Sequence, residues 1–183
     1  PSAAYAGFAL PSIPGLSSNS GGATADLGGQ QDQLVRGYVS ANKDVLTANS
    51  KMAEALNLKD ASSASKATAD ALTEGATKDN LDAANKEVSA STDAVAAELK
   101  KGPQLDAAAK ATFGVGLIAL ASGVTKYVGL GGNVKDMASN LSSVSPMQLP
   151  KLQSAVFVVS KFPSALASVG TALKNAISFA QSH

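Results

Sequence analysis

The fold of this chain is decided by the stretch ATFGVGLIALASGVTKYVGLGG, Ala111–Gly132, which is its longest weakly charged segment. No side chain between Lys110 and Lys126 is ionisable. A helix over this stretch is apolar on every face, so it packs either at the centre of other helices or against lipid. The rest of the chain therefore has to supply helices that cover it, or leave it to another apolar partner.

The composition indicates one domain whose core is built from small side chains. The chain has 183 residues, of which 45% are hydrophobic but only 4% aromatic, and it contains no tryptophan. A core without large rings has to be closely packed if it is to exclude water. A chain of this length is long enough for a single core formed by several helices.

Charge is distributed unevenly along the chain. Residues 1–110 contain 10 basic and 13 acidic side chains, a net charge of −3, whereas residues 111–183 contain 5 and 1, a net charge of +4. The total of +1 comes without the dense basic patch of nucleic-acid-binding domains, so we expect no nucleic-acid partner. Lysines that could attract anionic head groups or an acidic partner are Lys126, Lys135, Lys151, Lys161 and Lys174.

No catalytic residue, metal site or cofactor is predicted. The single histidine, His183, is the last residue, which excludes a Ser–His–Asp triad and a histidine-based metal site, and the chain has no cysteine. Carboxylate pairs such as Asp79 with Asp82, or Asp60 with Glu74, lie among lysines and are typical of a solvated helix surface. We therefore expect a protein that is not an enzyme.

The chain is expected to begin with a tail and to continue as one domain. Residues 1–29 are rich in proline and glycine and carry one charge, Asp26, which predicts a flexible, extended N-terminal tail. Residues 30–181 are predicted to form a single all-α domain, an antiparallel helical bundle of about five to seven helices. The predicted helices cover residues 30–58, 60–74, 77–101, 103–129, 134–141, 150–162 and 164–181.

Local signals predict where these helices begin and end. Thr77 is predicted to cap the third helix, and Gly102 followed by proline to end it. Asp60 is predicted to cap the short helix before it. The segment Gly129–Asn133 lacks the lysine and hydroxyl of a phosphate-binding loop and is predicted to be a turn between helices. Pro163 is predicted to break or kink the last helical region.

The central apolar stretch has several interpretations. Its uncharged core, residues 111–125, is shorter than the roughly 20 residues that cross a bilayer, which disfavours a transmembrane helix. The stretch can equally be an ordinary buried helix, one wall of an apolar ligand site, or the face of a dimer interface. Its interior glycines, at positions 114, 116 and 123, are tolerated in a helix where another backbone or a ligand comes close.

The half of the chain from Pro103 onward is predicted to enclose or cover an apolar ligand, with a lipid as the leading candidate. Its helices offer Val, Leu, Ile and Phe but few large side chains to fill the space between them. The interior of a helical bundle is a common ligand site. The residues predicted to form the apolar wall are Phe113, Leu117, Leu120, Val124, Tyr127, Val156, Phe157, Leu166, Val169 and Leu173.

The predicted function is that of an exported, non-catalytic binding protein, periplasmic or secreted by a bacterium, whose partner is an apolar small molecule or lipid. The first residue is Pro rather than Met, and the small-residue-rich start is typical of the mature end of an exported protein. A membrane surface or an envelope protein is a second class of partner. The alternative is a helical protein–protein interaction or assembly module of the cell envelope, which closes its apolar face as a homo-oligomer.

Overall fold

The computed structural model describes residues 27–73 and 75–182, and all regular structure in these ranges is helical. The predicted all-α class is confirmed. Residues 1–26 of the predicted tail, together with Glu74 and His183, lie outside the described residues. The prediction is wrong for residues 27–29, which form the start of a helix and bury Leu27. The described ranges contain five α-helices and one 3-10 helix, which are α1 (Leu27–Ala55), α2 (Lys59–Ala71), α3 (Lys78–Lys100), α4 (Ala107–Leu141), a 3-10 helix (Leu149–Leu152) and α5 (Gln153–Ser182).

Helix α1 is the element on which the others pack, because it contacts α2, α3, α4 and α5. Its apolar stripe faces these partners, as the spacing of four and three residues predicts. The stripe consists of Leu34, Tyr38, Ala41, Val45, Ala48 and Met52, all of them buried. The buried residues of α3 have the same helical spacing, and they are Leu81, Ala84, Val88, Ser91 and Val95.

Helix α4 lies antiparallel to α1 at a short distance. Gly116 lies against Ala48, and Gly123 lies against Ala41, so the contact moves toward the start of α1 as α4 advances. A Cβ added at Gly116 would lie 2.9 Å from the carbonyl oxygen of Ala48, and one added at Gly123 would lie 3.3 Å from that of Ala41. The two backbones therefore approach where no side chain fits between them.

The buried residues of α4 repeat every seven positions along this contact. Two residues of each repeat face inward, with the alternating spacing of three and four that is typical of a coiled-coil seam. The buried set is Phe113, Gly116, Leu120, Gly123, Tyr127, Leu130, Val134 and Met137.

Two of the predicted helix breaks are wrong. The predicted turn at Gly129–Asn133 is helical, so α4 continues through it and absorbs the predicted short helix 134–141. Each interior glycine disfavours a helix by about 1 kcal/mol. The buried Leu130, Val134 and Met137 offset this, and Leu130 fills the space that a side chain at Gly37 would need.

Pro163 likewise does not interrupt α5, which runs from Gln153 to Ser182 as one helix. Proline inside a helix removes a hydrogen bond and costs about 3 kcal/mol. The side chains on either side of it, Phe162 and Val169, are both buried. Their burial, at about 1.5–3 kcal/mol for a large apolar side chain, is of the size needed to hold the helix together.

The structure confirms the predicted start of one helix, whereas two other helices start differently from the prediction. Thr77 caps α3 as predicted, accepting a hydrogen bond from the backbone of Asn80 at 3.3 Å. The predicted cap at Asp60 is wrong, because α2 already begins at Lys59 and has no side-chain cap. Helix α4 begins later than predicted, because Asp106 is its N-cap. The carboxylate of Asp106 accepts a hydrogen bond, at 2.8 Å, from a backbone N–H in the first turn of the helix.

Candidate functional site

A groove runs along the seam between α3 and α5. It consists of three adjoining pockets of 780, 390 and 330 Å³, and side chains of both helices line each of them. Asp82 and Lys161 border both the first and the second pocket, and Ser168 borders both the second and the third. The three pockets therefore form one elongated site, wide at the start of both helices and narrow toward the end of α3.

The wide end of the groove combines an apolar wall with a charged rim. Leu149, Val156 and Phe157 supply the apolar part, and Phe157 is buried whereas Val156 is exposed. The charged side chains that border this end are Lys78, Asp79, Asp82 and Lys161. A pocket of this size, apolar at its wall with a few polar groups at its edge, is typical of small-molecule sites.

The rest of the groove is bordered by small side chains. On α5 these recur at three- and four-residue spacings, and they are Ser164, Ala165, Ser168, Thr171, Ala172, Asn175 and Ala176. Beneath them lie larger groups from other helices, Asn49 and Met52 of α1 and Tyr127 of α4. The short side chains of α5 do not fill the space above these groups, which leaves a groove along the seam.

A buried hydrogen-bond network supports the groove under its middle part. The hydroxyl of Tyr127 donates to the amide oxygen of Asn42. The amide nitrogen of Asn42 donates to Asn85 at 3.1 Å, and the hydroxyl of Tyr38 donates to the same oxygen at 3.0 Å. The network thus fixes the positions of α1, α3 and α4 along one another, as buried asparagines do at helix interfaces.

Burial changes the acidity of both tyrosines in this network. Removal from water raises the pKa of Tyr127 above its ordinary value, and the neighbouring Tyr38 hydroxyl raises it further. Burial also raises the pKa of Tyr38, against the smaller lowering effect of its hydrogen bond with Asn85. Both groups are therefore neutral hydrogen-bond donors at physiological pH and do not serve as bases.

A second buried polar contact lies seven residues further along α1, at Asn49. The amide nitrogen of Asn49 donates to the hydroxyls of Ser91 at 2.8 Å and of Thr92 at 3.0 Å. Asn49 and Ser91 are both buried, and within the described part of the chain no buried side-chain nitrogen or oxygen lacks a partner. The floor of the groove is therefore polar in composition but fully satisfied.

The structure distributes the ten predicted wall residues over three environments. Tyr127, Val156 and Phe157 line the groove. Phe113, Leu120 and Val169 lie in the core, where Phe113 packs on Phe179 with ring centroids 5.3 Å apart. The half-buried members, which border none of the three pockets, are Leu117, Val124, Leu166 and Leu173.

The sequence analysis did not identify the contribution of α3. Asp82, Asn85, Val88, Thr92 and Leu99 border the groove from that side. A signal for it existed in the small residues of α5, whose Ser and Ala positions recur with helical spacing. Such a stripe shows where another helix can pack, but the pattern of α5 alone does not reveal which helix lies opposite or how closely it packs.

Two helical segments are long and apolar enough to cross a membrane by length and composition. They are Ala107–Leu141 and Leu149–Ser182, and 22% of the most apolar window of each is buried in the structure. Core helices of soluble proteins meet the same criterion, so the property is compatible with membrane association without requiring it. In the part of the chain that the structure describes, no three His, Cys, Asp or Glu side chains come together as metal ligands would.

Comparison of the chain with protein-family models, with curated proteins and with solved structures gave no match. Its function therefore has to be argued from the groove and the surface alone.

Proposed function

We propose that this protein is an exported, non-catalytic binding protein that holds one lipid-type molecule in the groove between α3 and α5. The observation that carries the proposal is the shape of that groove, in which a wide apolar end of 780 Å³ continues into a narrower channel between two helices. An elongated site with one wide end suits a molecule that has a head and a chain.

Burial of hydrocarbon supplies the driving force for such binding. Each methylene removed from water contributes about 0.8 kcal/mol, so a partly covered acyl chain binds without strong polar anchors. The head group lies at the wide end, where Lys78 and Lys161 offer donors to a phosphate or carboxylate. Asp79 and Asp82 at the same rim favour a head group that also carries a cation or hydroxyls.

The arrangement and location of the protein are part of the same proposal. The helices form an antiparallel bundle, preceded by a tail that ends where α1 begins at Leu27, and the protein acts in the bacterial periplasm or outside the cell. Support comes from the antiparallel contact of α4 with α1 and from a composition rich in small residues. The apolar helices α4 and α5 are compatible with work at or near a membrane.

Organic extraction of the purified protein followed by mass spectrometry tests the proposal, with the native mass measured on the same sample. The expected result is one lipid-type molecule per monomer. A protein that is empty after expression, and that takes up no fluorescent fatty acid or phospholipid from micelles, would refute it.

A matched pair of variants locates the site. Ser168→Trp places a large ring at the junction of two pockets and should abolish lipid uptake, because Ser168 is exposed and borders both of them. Ser178→Trp makes the same change at an exposed position of α5 that borders none of the three pockets, and should bind normally. Equal lipid uptake by both variants would place the ligand elsewhere.

The second candidate function is a protein–protein interaction or assembly module. The observation that favours it is the exposure of three large apolar side chains on α4, namely Val115, Ile118 and Val128. An empty protein whose native mass is that of a dimer or larger species, and which dissociates on Ile118→Asp, would support this candidate over the lipid carrier.

A further inference from the structure

The side of α4 that faces away from α1 is apolar and exposed over most of its length. We define it as the outer face, formed by Ala111, Val115, Ile118, Ala121, Thr125 and Val128. Val115, Ile118 and Val128 are 53%, 73% and 62% exposed, although the sequence pattern places Val128 inward. The face spans about 26 Å, since a helix rises 1.5 Å per residue. Exposed aliphatic side chains aligned on one helix mark an interaction surface.

Lysines outnumber carboxylates on this helix. From Ala107 to Lys135 the helix contains three lysines and no carboxylate, and Asp136 is its one acidic residue. Lys126 is neutralised by Asp44 of α1, with 2.8 Å between its Nζ and the carboxylate oxygen. Lys110 and Lys135, near the two ends of the face, form no ion pair among the described residues and are exposed.

The geometry points to an anionic lipid bilayer as the partner: we propose that the protein docks on such a membrane through the outer face of α4, with Lys110 and Lys135 on the head groups. An apolar helix face flanked by lysines lies in the interfacial region of a bilayer and gains affinity from anionic lipid. A second copy of this chain fits less well, because two α4 helices packed face to face bring lysines against lysines.

The contact is peripheral and does not span the membrane. The opposite side of α4 is held on α1, where Gly116 and Gly123 bring the two backbones together. Insertion of α4 would expose the buried face of α1 and break this contact, whereas docking of the outer face leaves the fold intact. The outer face contributes no residue to the groove between α3 and α5, so the inference is independent of what that groove holds.

Vesicle co-sedimentation of the full-length protein tests the inference. Binding is expected to vesicles of phosphatidylcholine mixed with phosphatidylglycerol, to be weak on phosphatidylcholine alone, and to be reversed by high salt. Equal binding to both vesicle types would overturn the electrostatic part of the argument. Protein that resists extraction by high salt and alkaline carbonate would overturn peripheral docking in favour of insertion.

Two pairs of variants separate the outer face from the rest of the surface. Ile118→Asp should weaken binding by about tenfold or more, because it places a charge at the centre of the apolar contact. Met147→Asp makes the same change in the exposed connector before α5 and should bind as the unmodified protein does. If both variants bind equally well, the outer face of α4 is not the docking surface.

Charge reversal at Lys110 and Lys135 should weaken binding by more than about 25-fold, since each lysine near an anionic surface contributes about fivefold. Charge reversal at Lys59 and Lys100, exposed lysines of α2 and α3, changes the net charge of the protein by the same amount. This reversal should weaken binding to the vesicles much less. Equal effects of the two reversals would show non-specific attraction. If the native mass shows a dimer that Ile118→Asp disrupts, and the protein does not bind vesicles, then the outer face binds a second copy of the chain. That result would refute the proposal of membrane docking.

Discussion

Two seams of this molecule use small residues to opposite effect. Between α1 and α4, Gly116 and Gly123 lie directly against backbone of the partner helix, and the two helices meet with no space for a side chain. Between α3 and α5, serine and alanine recur with the same helical spacing, yet a groove remains along the seam. Glycine has no Cβ whereas serine and alanine do, so residue type accounts for part of the difference.

The rest of the difference lies in what lines each seam. The glycines of α4 lie against the backbone of α1 at Ala48 and Ala41 and against the side chains of Met52 and Val45, which leave no open space. The small residues of α5 border an open space whose other walls include Asn49 and Met52 of α1. The groove remains because the short side chains of α5 do not fill this space.

The close seam should fail when a single methyl group is added. Gly116→Ala is expected to lower the free energy of unfolding by about 1–3 kcal/mol, because the new Cβ meets the carbonyl oxygen of Ala48 and that backbone has to shift. Gly123→Ala, with more space, should lower it less. Urea unfolding followed by circular dichroism measures both.

Gly114 provides the control in the same helix. A Cβ at this position meets nothing within 4 Å, so Gly114→Ala should raise the free energy of unfolding by about 1 kcal/mol through helix propensity. If Gly114→Ala and Gly116→Ala change stability in the same direction, the close approach of α4 to α1 at Gly116 is refuted.

The network below the groove should be the next most sensitive feature. Asn42→Ala leaves the buried hydroxyl of Tyr127 without its acceptor and should lower the free energy of unfolding by about 1–3 kcal/mol. Asn175→Ala removes an amide that borders the open groove and is exposed, so it should change stability by less than about 0.5 kcal/mol. Comparable losses at both positions would show that the groove is closed in solution.

Alkaline pH should loosen the same network. Burial raises the pKa of Tyr127 and of Tyr38, so above about pH 10 the unfolded chain releases protons that the folded chain retains. Stability is therefore fully present below pH 10 and falls above it, by about 1.4 kcal/mol per pH unit for each tyrosine. Unfolding measured between neutral pH and pH 11 should show this slope, and Tyr127→Phe should reduce it.

A slope that Tyr127→Phe leaves unchanged would contradict the assignment of the alkaline transition to this pair. The wild-type and Tyr127→Phe chains are compared at equal ionic strength, because salt alters the strength of surface charge interactions.

The smallest effect is expected at the edge of the close seam. Lys126 pairs with Asp44 at 2.8 Å and donates to Ser40 at the same distance, but both charged groups are partly exposed. Lys126→Ala should therefore lower the free energy of unfolding by no more than about 1 kcal/mol. A double-mutant cycle with Asp44→Ala measures the coupling, which should decrease in high salt, and a coupling several times larger would indicate a buried pair.

Local patterns in the sequence predicted those parts of the fold that depend on neighbours within a few turns. The apolar spacing of α1 and α3 identifies one buried stripe on each helix, and the cap at Thr77 is present. Other buried residues of α1, such as Val39 and Asn42, lie outside that stripe because α1 has helices on several sides. The pattern of α4 was less informative, because almost every position is apolar and several faces are equally suitable. Val128 was assigned inward for this reason, while Gly123 proved to be part of the buried seam.

The site was predicted only in part for a related reason. Tyr127, Val156 and Phe157 reach the groove, but Phe113, Leu120 and Val169 are core residues that the same apolar chemistry could not distinguish from a ligand wall. Apolar character shows that a side chain leaves water, without showing whether its neighbour is protein or ligand.

The helical class, the apolar stripes of α1 and α3 and the uneven division of charge follow from residue type and short-range spacing. That α4 passes through Gly129–Asn133 and that α5 passes through Pro163 depends instead on contacts between helices. Such breaks cost about 1–3 kcal/mol, and burial of side chains against distant helices offsets that amount. The groove likewise depends on α1 side chains that lie beneath α3 and α5, a relation between positions far apart in the chain.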